Sequence, residues 1–159
     1  MNNKEDVKKI IHPDWGKCEL QDKNEIPVFK GDWGSLENRL YKHKHPRVPE
    51  LRGEMTYQYH LQDGYVFFHM FKYMLTSRPT DRVWRRANIY LSAISETAMG
   101  AQSPDSMIMD YKWHDQGLVV AVKLNHSKVA EYSIGVQYDG SNNDVGEHEK
   151  WGPILYAEF

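Results

Sequence analysis

The chain has 159 residues, 20 basic against 22 acidic side chains, a net charge of −2 and one cysteine. That length makes a single domain with a real hydrophobic core the simplest expectation. The near-balance of charge excludes a general attraction to nucleic acid or anionic membrane, so such contacts must come from local patches.

Cys18 as the lone cysteine excludes an intramolecular disulfide and fits a reducing compartment. No apolar run reaches the roughly 18 residues of a membrane-spanning helix, and MNNKEDVKK lacks a signal-peptide core. The protein therefore reads as soluble and intracellular in its chemistry. Five Trp and ten Tyr point to a well-packed domain or to adhesive surfaces.

Residues 1–25 are polar and mixed in charge and read as a flexible N-terminal arm; residues 26–159 form the globular part. Ile26–Phe29 is a short extended apolar segment, either an edge strand or a peptide docked on a neighbour's surface. Residues 31–53 read as a long connection, with one helical turn over Ser35–Leu40 and stops at Pro46 and Pro49. Within it, Lys42, Lys44 and Arg47, with His43 and His45, make the densest basic patch of the sequence. On an extended backbone Lys42 and Lys44 share one face, opposite His43 and His45.

Glu54–Leu61 alternates Met55, Tyr57, Tyr59 and Leu61 with Thr56, Gln58 and His60, a strand with one buried face. Asp63–Leu75 follows, DGYVFFHMFKYML. Phe67, Phe68, Phe71, Met74 and Leu75 lie on one face at helical spacing, and Asp63 stands where an N-cap would accept free backbone N–H groups. The expectation is a central core helix, with Phe71→Ala costing roughly 3–5 kcal/mol. Val66 and the aromatics also suit a strand.

Residues 82–99 are ambiguous. Trp84, Ala87, Leu91, Ile94 and Ala98 follow helical spacing, whereas Ala87, Ile89, Leu91 and Ala93 alternate with Asn88, Tyr90 and Ser92. Propensity leans to helix for 82–87 and strand for 88–94. From Met107 onward the pattern is β. Met107–Trp113 and Leu118–Leu124 read as a hairpin joined by His114–Gly117. A turn at Asn125–Lys128 precedes a strand at Val129–Tyr138, and Ile154–Phe159 closes the sheet. Together these elements predict an α+β fold, a mixed or antiparallel sheet with packed helices.

Catalytic and metal-binding patterns fail on inspection. Asp139, Ser141 and Asn143 have calcium-loop spacing, but Asp144 stands where Gly is needed and Lys150 where Glu is needed. His126, Ser127 and Asp139 supply the residue types of a hydrolase triad without a nucleophile elbow. There is no Walker loop, Gly-x-Gly-x-x-Gly or Cys-x-x-Cys. Neither a cofactor nor an enzymatic activity is expected. Arg78, Arg82, Arg85 and Arg86 form a second basic cluster.

Residues 52–122 as a block resemble the core of rhabdovirus matrix proteins, especially the lyssavirus type. The stretches RGEMTYQYHLQDGYVFFHMFKYMLTS, RRANIYLSAISETAMGAQSPDS and MDYKWHDQGLVVAVKL carry the resemblance, and VAEYSIGVQY continues it. It implies a mixed sheet with helices packed on it, a strand at about 86–95, and a structural role. That role is a self-associating viral matrix protein bridging the nucleocapsid and the inner envelope membrane in assembly and budding. The implied partners are the protein itself, the viral nucleocapsid, an anionic membrane surface and host proteins. The implied locations are the virion, the host cytoplasm and the membrane periphery. Lys4, Lys8, Lys9, Lys42, Lys44 and Arg47 would contact membrane or nucleocapsid, and Pro27, Val28 and Phe29 would dock on a neighbouring subunit. The chain departs from the family in lacking a Pro-Pro-x-Tyr budding motif and in its shorter 103–110 region. Glu5 and Asp6 also interrupt its basic arm. A compact member, as in plant-infecting rhabdoviruses, would fit.

Two other classes compete. A compact, mildly acidic chain without catalytic residues also suits a toxin-neutralising immunity protein. Trp33, Trp84 and Trp113 suit a tryptophan-based, cap-like nucleotide-binding module.

Overall fold

The computed structural model describes residues 18–35, 37–44, 51–76, 86–104, 106–139, 144–145 and 153–159. Among them there is no α-helix, only two short 3₁₀ turns at Lys23–Glu25 and Trp33–Ser35. The expected α+β fold with packed helices is thus replaced by two β-sheets.

The four-stranded sheet consists of β2 (Arg39–Lys44), β3 (Arg52–Gln62), β4 (Tyr65–Leu75) and β8 (His114–Lys123), antiparallel and in that order. The second sheet is built on β5 (Arg86–Ile94) paired antiparallel with β9 (Val129–Asp139). On the far side of β5 lie β6 (Thr97–Gln102) and β7 (Met107–Ile108). β1 (Glu19–Leu20) adds to β6 in parallel; β10 (Asp144–Val145) and β11 (Leu155–Glu158) add to β9. Buried side chains of both sheets interdigitate in one core, the arrangement of a β-sandwich.

The presumed central helix is β4, and its register explains the misleading pattern. Val66, Phe68 and Met70 point into the core; a bulge then adds Phe71 opposite the Thr56–Tyr57 step, so that Tyr73 and Leu75 point inward again. Phe67, on the other face, is also buried. A strand covered on both faces reads as an almost continuous apolar run, and a bulge shifts its parity. Together these imitate helical spacing. Asp63 and Gly64 are the two central residues of a hairpin turn, with φ of 52° and 80°. Positive φ at both positions is what a type I′ turn demands, and Asp-Gly meets it at little strain.

β3 keeps the expected alternation, with Met55 and Tyr57 buried and Tyr59 and Leu61 packed against the core. β5 is a strand with Ala87, Ile89, Leu91 and Ala93 buried in that core. The expected Met107–Leu124 hairpin is not formed. β7 pairs with β5, whereas His114–Gly117 opens β8, which pairs with β4. The sheets meet at one edge, where Glu96 donates its backbone N–H to Lys123 O (2.8 Å) and Lys123 donates to Thr97 Oγ1 (2.9 Å).

Two segments preceding β2 are anchored to the sandwich. Cys18–Gln21, within the span expected as an arm, lies along β6, with Gln21 N–H donating to Ala98 O at 2.8 Å. Residues 28–35 run as a strap across the outer face of the four-stranded sheet. The Gln62 side-chain amide holds it twice, accepting from Lys30 N–H (2.7 Å) and donating to Val28 O (2.8 Å). Phe29 stacks on Trp33 at 4.1 Å and covers Phe67 at 5.3 Å.

Candidate functional site

The densest basic patch of the sequence lies on a strand. In β2 the alternation turns Tyr41 and His43 into the interior and leaves Lys42 and Lys44 exposed, as an extended backbone requires. Pairing with β3 sets Lys42 opposite Glu54 and Lys44 opposite Arg52. Lys44 and Arg52 are therefore like charges directly across an antiparallel ladder, a placement that weakens a sheet rather than stabilising it. Among the described residues the ion pairs are Lys123–Glu96 and Asp110–His114, so none of Lys42, Lys44 and Arg52 is held in an ion pair, although Glu54 stands across the ladder from Lys42.

These residues border an open cleft of about 350 Å³ at the end of the four-stranded sheet. Its walls are Lys42, Lys44, Arg52 and Glu54 on one side, with Met74, Thr76 and Tyr111 completing it. Three cations face one carboxylate. Thr76 ties the cleft floor to β3: its N–H donates to Arg52 O at 2.8 Å and its hydroxyl accepts from Arg52 N–H at 3.1 Å. Gly53 lies buried between; a Cβ there would stand 2.6 Å from Leu75 Cδ2.

Tyr111 reaches the cleft from the loop before β8. Its backbone is left-handed, with φ of 63°, and its N–H donates to Leu75 O at 2.9 Å. Such φ values are uncommon outside glycine and mark sites worth scrutiny. Asp110 braces the loop, accepting from His114 Nε2 at 2.8 Å and from Lys112 N–H at 3.0 Å. Burial would raise its carboxyl, but these hydrogen bonds outweigh burial and hold the pKa below the ordinary carboxylate value. The brace is complete above that ordinary value and is lost as the pH falls through the lowered one. The loop thus presents Tyr111, Lys112 and Trp113 to solvent, Tyr111 at 68% exposure. Exposed aromatic rings beside cations are the composition of membrane-interface contacts.

Of the residues expected to contact membrane or nucleocapsid, Lys42 and Lys44 are brought together here. Lys4, Lys8, Lys9 and Arg47 lie outside the described residues, as do Arg78, Arg82 and Arg85. Arg52 escaped the sequence pattern because eight positions separate it from Lys44, and only the β2–β3 register makes them neighbours. Pro27 and Phe29 are half-buried, Phe29 against its own sheet, whereas Val28 is 80% exposed.

Among the described residues no group of three His, Cys, Asp or Glu side chains is placed to hold a metal ion. His126 and Ser127 are exposed in the turn before β9, and Asp139 ends that strand, about 33 Å of extended chain away. Burial pushes the Cys18 thiol up, away from nucleophilic thiolate. Trp33 has one face occupied by Phe29, which leaves less of the indole for base stacking, and Trp84 lies outside the described residues.

The chain matches no known family model, no curated protein and no solved structure.

Proposed function

We propose that the protein is a non-enzymatic structural protein that attaches to an anionic surface through the Lys42–Lys44–Arg52 cleft and self-associates. This is the role of a viral matrix protein bridging the nucleocapsid and the inner envelope membrane during assembly. The observation that carries the proposal is the pairing of Lys44 with Arg52 across an exposed ladder, beside Lys42, with none of the three in an ion pair among the described residues. An anionic surface would relieve the repulsion that the fold leaves in place. The neighbouring Tyr111-Lys112-Trp113 loop favours the membrane over the nucleocapsid as that surface. Support comes from this surface chemistry and from the sequence resemblance; the helical scaffold that the resemblance implied is absent from the described residues.

Each cation at an anionic membrane contributes about 1 kcal/mol. Replacing Lys42, Lys44 and Arg52 together by Ala should therefore lower the affinity for phosphatidylserine-containing liposomes on the order of a hundredfold in co-sedimentation. Binding should also weaken as salt is raised. Unchanged binding by the triple variant would sink the proposal.

Self-association is assigned to the exposed apolar tip at Val28. Val28→Asp should shift light-scattering mass toward the monomer, at unchanged stability because the side chain touches little of its own fold. Undiminished oligomers would remove Val28 from the interface.

A further inference from the structure

The strap over residues 28–35 is held by rings that rest on two histidines. His60 of β3 meets Phe29 edge-on at 5.6 Å, and His69 of β4 lies beneath Trp33 at 4.9 Å and beside Phe71 at 5.4 Å. His69 is the unusual one. Its Nδ1 is buried and has no hydrogen-bond partner. Gly117 lies close to the other nitrogen, where an added Cβ would stand 3.7 Å from Nε2, in ordinary van der Waals contact.

A neutral imidazole tolerates this site by placing its proton on Nε2 and leaving Nδ1 as a bare lone pair. An imidazolium carries N–H groups on both nitrogens, and the one on Nδ1 would be buried without an acceptor. Leaving a charged donor unsatisfied is among the costlier things a fold can do. In an opened state water would accept from this N–H.

The surroundings offer little compensation. The charged groups on this side are Lys30 and Asp32 of the strap, Lys72 of β4, and Asp115 and Lys123 of β8. Lys72 stands cross-strand from Asp115, Lys123 pairs with Glu96, and the Asp32 carboxylate accepts from Gly34 N–H at 2.9 Å. On β3 the residues alongside are Gln58 and His60, and on β8 the partner of His69 is Val119. Among the described residues no carboxylate forms an ion pair with His69.

We propose that the strap is a proton-gated cover: protonation of His69 lifts Trp33 and Phe29 from the sheet and uncovers the ring of Phe67. Burial lowers the His69 pKa in the closed state. The unfolded or opened state therefore binds the proton more readily. Closure is complete above the ordinary imidazole pKa of about 6.5 and is progressively lost as the pH falls below it.

The test follows the binding of an apolar dye by the full chain between pH 7.5 and 5.5, with far-ultraviolet circular dichroism confirming that the strands persist. The wild type should gain dye fluorescence several-fold on acidification. His69→Phe, which cannot take a proton, should stay dark at both pH values. Trp33→Ala should bind dye at both, and His60→Gln should keep the wild-type response. Should His69→Phe fold poorly, His69→Gln provides a second non-titrating variant with the same expected pH-insensitivity. No gain by the wild type, an equal gain by the His69 variants, or loss of the response in His60→Gln would each overturn the proposal.

Discussion

Phe68→Ala is expected to lower the stability by about 3–5 kcal/mol, the cost of removing a large ring from a closed core. Phe68 is fully buried and meets Tyr132 of the facing sheet at 4.8 Å and Tyr59 at 5.7 Å. It stands at the contact between the two sheets, so the cavity cannot be filled by one sheet alone. Urea denaturation would measure the loss as a lower midpoint at an unchanged slope. The companion variant is Phe71→Ala. A central helix would make Phe71 a core residue, with a comparable loss. As the extra residue of a bulge on the half-covered outer face, it should cost only about 1–1.5 kcal/mol. Equal losses for the two variants would contradict the strand assignment of Tyr65–Leu75.

The second large effect is expected at Tyr132. Its ring lies in a cluster with Tyr57, Tyr59 and Phe68, and its hydroxyl shares a 2.6 Å hydrogen bond with that of Tyr57. Burial, with the Tyr57 hydrogen bond second, raises the Tyr132 pKa, so its hydroxyl stays neutral throughout the useful pH range. Tyr132→Ala removes the ring and strands the Tyr57 hydroxyl, and should cost at least the 3–5 kcal/mol of an aromatic truncation. Tyr132→Phe isolates the polar share. It keeps the packing, leaves one buried hydroxyl without its partner and should cost about 1–3 kcal/mol. Adding Tyr57→Phe should return part of that loss, because two apolar edges facing one another leave nothing unsatisfied. A double variant that is worse than either single variant would mean that these hydroxyls hold other partners.

The strand pattern was legible where apolar and polar residues alternate cleanly, as in Met55–Leu61, whose apolar side turns to the core. Ala87–Ala93 stayed ambiguous between helix and strand, and Tyr90 and Ser92 on its other face are buried as well. The same alternation placed Lys42 and Lys44 on one face and His43 on the other. Tyr65–Leu75 was not legible in this way, since Phe67 is buried beneath the strap while Phe68 is buried in the core. The residues did carry one decisive signal, Asp63-Gly64 between two aromatic-rich runs, which marks a type I′ hairpin more strongly than it marks a helix N-cap.

The candidate site was half legible. Lys42 and Lys44 are two positions apart, and local chain geometry alone puts them together. Arg52, Met74 and Tyr111 come from three other parts of the chain, joined by strand register and by one backbone hydrogen bond from Tyr111 to Leu75. The strap histidines were equally hidden, because nothing local relates Phe29 and Trp33 to His60 and His69.

By itself, then, the sequence determined what depends on neighbours within a few residues: several strands, their inward and outward faces, the turn at Asn125–Lys128 and a local basic patch. The tertiary structure decided which strands pair, that Asp63–Leu75 is a hairpin arm, and that three cations converge on a cleft lined by one carboxylate. The physical reason is one of range. Alternation is set by the two-residue repeat of an extended backbone, whereas burial of a second face, a bulge or a cross-strand charge pair depends on partners far along the chain.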